Sequence, residues 1–295
     1  MQRRDVARLL LLAGLWGGSF AFIRVAAPEL GALWLAFVRV ALAFAALFAL
    51  ALARRSVPPF LAHWRSYTVI GIVNSALPFA LFSFAEQYIG ASTAAILNAT
   101  SPFFAAIVAA LWLKEAFTLR KLAGMGLGLV GVALLVGWQS EPLTRMTLLS
   151  ILACLAAALC YGVASVYAKR HMTGVPSASV ALYSQLTAAI VLMPALLLVP
   201  LPSAPPPLVI ANVLWLALAS TALAYVLYFR LIATIGPARA LTVTFLIPLF
   251  GVLWGYIFLG EPLAANTLAG CALILAGTWI AARVRASPVA QGRID

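Results

Sequence analysis

Charge is what this sequence has least of. Over 295 residues only 9% are Asp, Glu, Lys or Arg, and just 7 are acidic. A water-soluble domain carries about a quarter charged residues, so the chain lacks the polar surface that water would demand. Lipid is left as the solvent for most of it. Histidine is nearly absent: His63 and His171 both fall in basic connectors, and neither has a partner that would make a metal site. The three cysteines, Cys154, Cys160 and Cys271, lie inside apolar runs without disulfide or metal spacing and read as small buried hydrophobes. No Gly-Lys-Ser/Thr phosphate-binding loop occurs, which removes ATP-driven chemistry of that kind. The sequence therefore calls for no cofactor and no metal.

What is present is apolar. Hydrophobic residues make up 65% of the chain, and the formal net charge is +12. Basic nucleic-acid binders gather their charge on a polar face, whereas here Arg and Lys stand at the ends of apolar runs. The expected partners are a lipid bilayer and a small-molecule substrate, with no nucleic acid and a monomer as the working assembly.

A transmembrane helix needs about 20 mostly apolar residues. Ten runs qualify, near 6–26, 31–53, 67–87, 91–113, 120–138, 147–169, 177–200, 209–234, 238–258 and 265–284. Breakers separate them: Val57-Pro58-Pro59, Ile89-Gly90, Glu141-Pro142 and Pro205-Pro206-Pro207. Arg3 and Arg4 before an apolar stretch also fit a signal peptide. The run is as long as a full span and has a counterpart later in the chain, so a retained helix is expected. With the N-terminus in the cytoplasm, every Arg and Lys except Arg24, Arg39 and Arg145 falls at the cytoplasmic rim, as the positive-inside rule requires. Both termini are then cytoplasmic, in a multi-pass protein of a bacterial inner membrane.

The chain also repeats itself. Gly90 pairs with Gly236, Pro102 with Pro248, Glu115 with Glu261, Gly124 with Gly270 and Gly131 with Gly277, all 146 residues apart. Trp16-Gly17 pairs with Tyr161-Gly162, and Arg24 with Lys169, at 145. Five spans per copy is an odd number, so the second copy enters the membrane from the opposite side. The expected fold is an all-α integral membrane protein of ten helices. Residues 1–142 form one five-helix half, 143–287 an inverted second half, and 288–295 a cytoplasmic tail. Inverted repeats recur in secondary transporters, which bind substrate at the repeat interface.

Several segments carry a family resemblance: Trp16-Gly17-Gly18-Ser19-Phe20, Phe37-Val38-Arg39, Ala94-Ala95-Ile96-Leu97, Pro102, and Leu113-Lys114-Glu115 through Gly124. Leu259-Gly260-Glu261-Pro262 through Gly270 is a second copy of the last of these. The chain resembles drug/metabolite transporters of the EamA type over nearly its whole length, and within them is most similar to bacterial aromatic amino-acid exporters. The resemblance implies export of small metabolites, amino acids included.

Polar and aromatic residues on the spans nominate a path. Ser75, Phe79, Phe82 and Glu86 share a helical face, and Thr221, Tyr225 and Tyr228 stand 146 residues after the first three, with Asn74 beside them. Asn98 and Thr244 each precede a proline, Pro102 and Pro248, expected to kink its helix. The first span contributes Trp16 and Ser19, and the sixth, its repeat counterpart, Tyr161 and Ser165. Ordinary helix packing explains many such hydroxyls equally well. Glu86, an intramembrane acid, fits an ammonium site, a proton relay, a partner for Arg24 or Arg39, or interface exposure. Arg39 reads as a tie between helices, and Glu115 and Glu261 as helix-cap or dipole partners. The leading function is secondary export of small amphipathic metabolites by alternating access. The alternative is a proton-coupled efflux pump for cationic or lipophilic drugs, which wants an acid on the first span that is not there. A lipid-modifying enzyme would need His, Asp or Cys clusters that the spans lack, and a receptor-like protein is the remaining class.

Overall fold

The computed structural model describes residues 2–114, 118–137, 144–200, 202–235 and 243–282. Among these there are helices and no strand, the outcome lipid imposes on a chain that must satisfy its backbone hydrogen bonds internally. In chain order they are α1 (Arg3–Leu30), α2 (Ala32–Ala53), α3 (Trp64–Gly71), α4 (Leu77–Ala85), α5 (Ala91–Asn98), α6 (Ser101–Leu113) and α7 (Leu119–Gly137). Then follow α8 (Arg145–His171), α9 (Ser177–Leu196), α10 (Pro207–Leu214), α11 (Ala224–Ile235), α12 (Val243–Leu259) and α13 (Ala265–Ala282). Two π-helical segments make continuous rods of neighbours: Ile72–Ala76 joins α3 to α4, and Trp215–Leu223 joins α10 to α11.

Among the described residues, seven rods are long and apolar enough to cross a membrane: Arg3–Leu30, Ala32–Ala53, Leu61–Ala85, Ala91–Leu113, Arg145–His171, Ser177–Leu196 and Pro207–Tyr228. Val243–Leu259 is apolar but shorter. The outer surface is correspondingly greasy. Leu197 is 88% exposed, Leu111 79% and Leu129 66%, a distribution that only a lipid solvent makes stable.

The helices pack in a regular pattern. α1 lies along α12 and α8 along α6, α4 lies on α8, α2 on α9, and α7 on α13. Close approach is bought with small residues. A Cβ on Gly17 would sit 2.9 Å from the Gly251 amide of α12, and one on Gly162 2.7 Å from the Ala105 amide of α6. Gly17 and Gly162 are the counterparts noted in the sequence, and their targets Gly251 and Ala105 stand 146 residues apart.

Local differences from the expected spans have physical causes. α1 starts at Arg3, which draws Asp5 into its first turn; there Asp5 is 6% exposed and accepts from Arg8 and from Thr234 of α11, each at 3.3 Å. The fourth rod is broken rather than bent. The amides of Ala99 and Thr100 bond to Ile96 and Leu97 at 3.0 and 3.1 Å, a tight 3₁₀-type closure. Pro102 then falls in the opening turn of α6, where its missing N–H costs nothing. Pro248 lies inside an uninterrupted α12. Gly236 and Glu115, the 138–142 linker, and the tail beyond 282 lie outside the described residues.

Candidate functional site

α2 and α9 pack on each other, and each also crosses the π segment that follows its partner's side of the bundle: α2 meets Trp215–Leu223, and α9 meets Ile72–Ala76. A π turn is wider than an α turn by one residue. The Thr221 hydroxyl, for example, bonds the Leu216 carbonyl five residues back at 2.8 Å. Two crossed hydrogen bonds form where these elements meet. Arg39 Nε of α2 donates to Thr221 Oγ1 at 3.0 Å, and Gln185 Nε2 of α9 donates to Ser75 Oγ at 3.0 Å. Beside them Asn74 Nδ2 donates to the Tyr225 hydroxyl at 3.0 Å. Arg39 also stacks its guanidinium 3.8 Å above the Phe79 ring, a cation–π contact that gains strength away from water. Ser75, Gln185 and Thr221 are fully buried and Arg39 is 5% exposed.

Aromatic rings wall this polar knot. Trp16 of α1 packs against Tyr228 at 5.4 Å and edge-on to Tyr225 at 6.5 Å. Phe20 meets Phe82 edge-on at 5.4 Å, and Phe82 stacks on Tyr161 of α8 at 6.3 Å. Thus Trp16, Asn74, Ser75, Phe79, Phe82, Tyr161, Thr221, Tyr225 and Tyr228 come together in two adjoining groups, one polar and one aromatic. The chemistry on offer is an apolar surface with a few directed donors and acceptors, lying between helices of a bundle, where small-molecule sites form.

Other nominated residues lie differently. Ser19 and Ser165 return their hydroxyls to their own helices, to Leu15 at 3.3 Å and Gly162 at 2.8 Å. The Asn98 side chain accepts from Ser101 at the α5–α6 break, at 3.3 Å. Thr244 is half-buried on α12. Glu86 follows α4 and is fully buried, which removes interface exposure as its explanation. Arg24 of α1 bonds its backbone carbonyl rather than its carboxylate, and both carboxylate oxygens lack a hydrogen-bond partner. Among the described residues no three His, Cys, Asp or Glu side chains converge as metal ligands.

Two features of the structure escape a sequence reading. Arg39 and Gln185 enter the polar knot together, although only Arg39 draws notice in the sequence, as a structural tie. The signal was available: Phe37-Val38-Arg39 and Tyr183-Ser184-Gln185 stand 146 residues apart, as do Ser75 and Thr221. The second feature is Glu261, whose carboxylate does not serve the helix that follows it. It reaches the start of α5 and accepts from the Ala91 and Ser92 amides at 2.6 and 2.9 Å, a charged cap at a helix N-terminus.

A cleft of about 360 Å³ opens between the end of α2, the start of α9 and α11. Leu47, Ala181, Leu182 and Val226 form its apolar lining, Arg54 and Arg230 contribute its charge, and no acidic side chain is among the described residues that line it. Leu47 is eight residues from Arg39 on the same helix, about 12 Å along its axis, and Val226 adjoins Tyr225.

Comparisons with known proteins agree with this architecture. The profile of the EamA-like transporter family matches residues 6–137 and again 148–283. A probable amino-acid metabolite efflux pump of Salmonella typhimurium is 28% identical, over 95% of each chain. A probable terminal-alkyne amino-acid exporter of Streptantibioticus cattleyicolor is 26% identical, over 94% of this chain and 93% of its own. An uncharacterized transporter of Archaeoglobus fulgidus is 27% identical, over 92% of this chain and 95% of its own. A protein crystal structure superposes with a TM-score of 0.66 at 19% identity, covering 95% of this chain and 97% of the other, a likeness of fold.

Proposed function

The chain belongs to the EamA-like transporter family and is a multi-pass membrane protein, and from that premise we propose that it exports small amphipathic metabolites, amino acids with aromatic side chains among them. It does so by alternating access between two inverted five-helix halves, 1–142 and 143–287, that together span a bacterial inner membrane ten times with both termini in the cytoplasm. The substrate occupies the knot between α2, α9 and the two π segments.

One observation carries the reading: Arg39–Thr221 and Gln185–Ser75 are the same contact made twice, between residues 146 apart in sequence. Each bond joins one half to the other. A site built this way sits on the axis about which the halves exchange conformations, where inverted-repeat transporters hold their cargo. The paired π segments, the paired glycine contacts and the twofold match to the family profile point the same way. Relatives described as amino-acid metabolite pumps and exporters support the substrate class. The aromatic wall suits an apolar side chain, and the buried donors suit a polar end.

A second reading, proton-coupled efflux of cationic drugs, is favoured by the buried and unpartnered Glu86 carboxylate and opposed by the arginines of the knot and cleft. Reconstitution of the full chain into proteoliposomes, with labelled amino acids and lipophilic cations assayed with and without a pH gradient, separates the two. Amino-acid flux lost in Tyr225→Ala and Phe79→Ala is the expected result. Gradient-driven cation flux with no amino-acid transport overturns it.

A further inference from the structure

Arg39 is a guanidinium held inside a membrane bundle without a counter-ion in contact. Among the described residues no carboxylate lies within ion-pair reach of it. Its Nε is bonded to Thr221 and its flat face rests on Phe79. Its two terminal nitrogens have no hydrogen-bond partner among the described residues, and Arg39 keeps 5% of its surface accessible. Intramembrane charges of this kind are costly and face a bundle interior or cavity. Here stacking and the Nε bond fix the plane of the fork, which leaves the edge with paired N–H groups open. That edge matches a carboxylate in geometry, two parallel bonds to two oxygens.

The neighbouring groups complete a polarity. Gln185 uses its amide N–H on Ser75, while its Oε1 is buried with no hydrogen-bond partner. The knot thus offers donors without acceptors at Arg39 and an acceptor without a donor at Gln185. The cleft lined by the later turns of α2 carries Arg54 and Arg230 and no acid among the described residues that line it, so its field favours anionic groups.

Resting on the export reading above, we propose that Arg39 is the binding residue for a carboxylate on the exported metabolite, with Gln185 Oε1 accepting from its amino group. This selects α-amino acids over their amides, esters and decarboxylated amines. The Phe79 contact holds the fork, and Thr221 sets its tilt.

The test uses proteoliposomes containing the full chain, with labelled L-amino acids and, for each, the C-terminal amide and the decarboxylated amine. Wild type is expected to move the best acid at least about 10-fold faster than its amide, and Arg39→Gln to cut acid flux about 100-fold, as loss of a charged two-point hydrogen bond predicts. Gln is chosen because it is the residue the other half carries at the matching position. The acid-to-amide ratio should then fall to near one. Where Arg39→Gln does not yield folded protein, Arg39→Lys keeps the charge without the fork, and the preference for acids should survive at a lower rate. Equal transport of acid and amide by wild type, or an unchanged ratio in Arg39→Gln, overturns the inference and leaves the exporter reading standing. Loss of the preference in a folded Arg39→Lys does the same. Failure of wild type to move any of the acids overturns both.

Discussion

Where the first half presents Arg39 to Thr221, the second presents Gln185 to Ser75. The donor geometry is alike, 3.0 Å in each case, and the two side chains come from α2 and α9, which pack on each other. The difference is one unit of charge. A symmetric scaffold with one asymmetric charge has a built-in direction, and under the binding mode proposed above a substrate's acid would lie toward one half and its amine toward the other. Phe79 and Tyr225 extend the contrast, since the first half turns a bare ring toward its guanidinium while the second carries a hydroxyl bonded to Asn74.

The comparison breaks most severely at the glycine contacts. Valine at Gly17 or at Gly162 pushes side-chain atoms into facing backbone, and each substitution should cost about 3 kcal/mol or more, overpacking a site with no room to relax. Equal losses in thermal stability in detergent are expected from the two, and a large inequality would mean the halves are not packed alike. Next come the crossed bonds. Thr221→Val strips a charged donor of its partner and should cost about 1.5–3 kcal/mol, against about 1 kcal/mol for Ser75→Ala, whose donor is neutral. Denaturation midpoints of the two variants sharpen the comparison, and the reverse order would contradict a charge difference at the knot. Glu261→Gln weakens the α5 cap by about 1 kcal/mol. Hydrogen exchange at the Ala91 and Ser92 amides should accelerate while the α2–α9 contact stays protected. The smallest effects belong to Ser19→Ala and Ser165→Ala, within about 0.5 kcal/mol, because each hydroxyl only returns to its own helix. Transport by both variants should match wild type.

How legible was all this? The runs of apolar residues announce helices because lipid permits little else. The repeated polar and aromatic positions on the third and eighth expected spans were readable by spacing alone, and the structure gathers Ser75, Phe79, Thr221, Tyr225 and Tyr228 around one knot. The π segments were not legible. Ile72–Ala76 and Trp215–Leu223 are composed like any other apolar helix, and the extra residue per turn is set by what packs against them. Arg39 was visible as a charge and read as a tie between helices, and it does tie α2 to Thr221; that it makes no ion pair among the described residues, with the buried Glu86 acting on it only through space, is a fact of three dimensions. Glu261 looked like a cap for the helix after it, since a sequence shows neighbours along the chain and hides the start of α5 some 170 residues earlier. Its counterpart Glu115 falls outside the described residues.

The crossed bonds also bear on how such a protein can change over generations. Each half meets its buried donor, Arg39 or Gln185, with a hydroxyl from the other, so neither copy is free to drift alone. A substitution at Thr221 is felt at Arg39, and one at Ser75 at Gln185. Inheritance should therefore couple positions about half the chain apart more tightly than neighbours on the same helix. Once fused, the two copies form a single unit of selection, which duplication made possible and which gene fission would now undo.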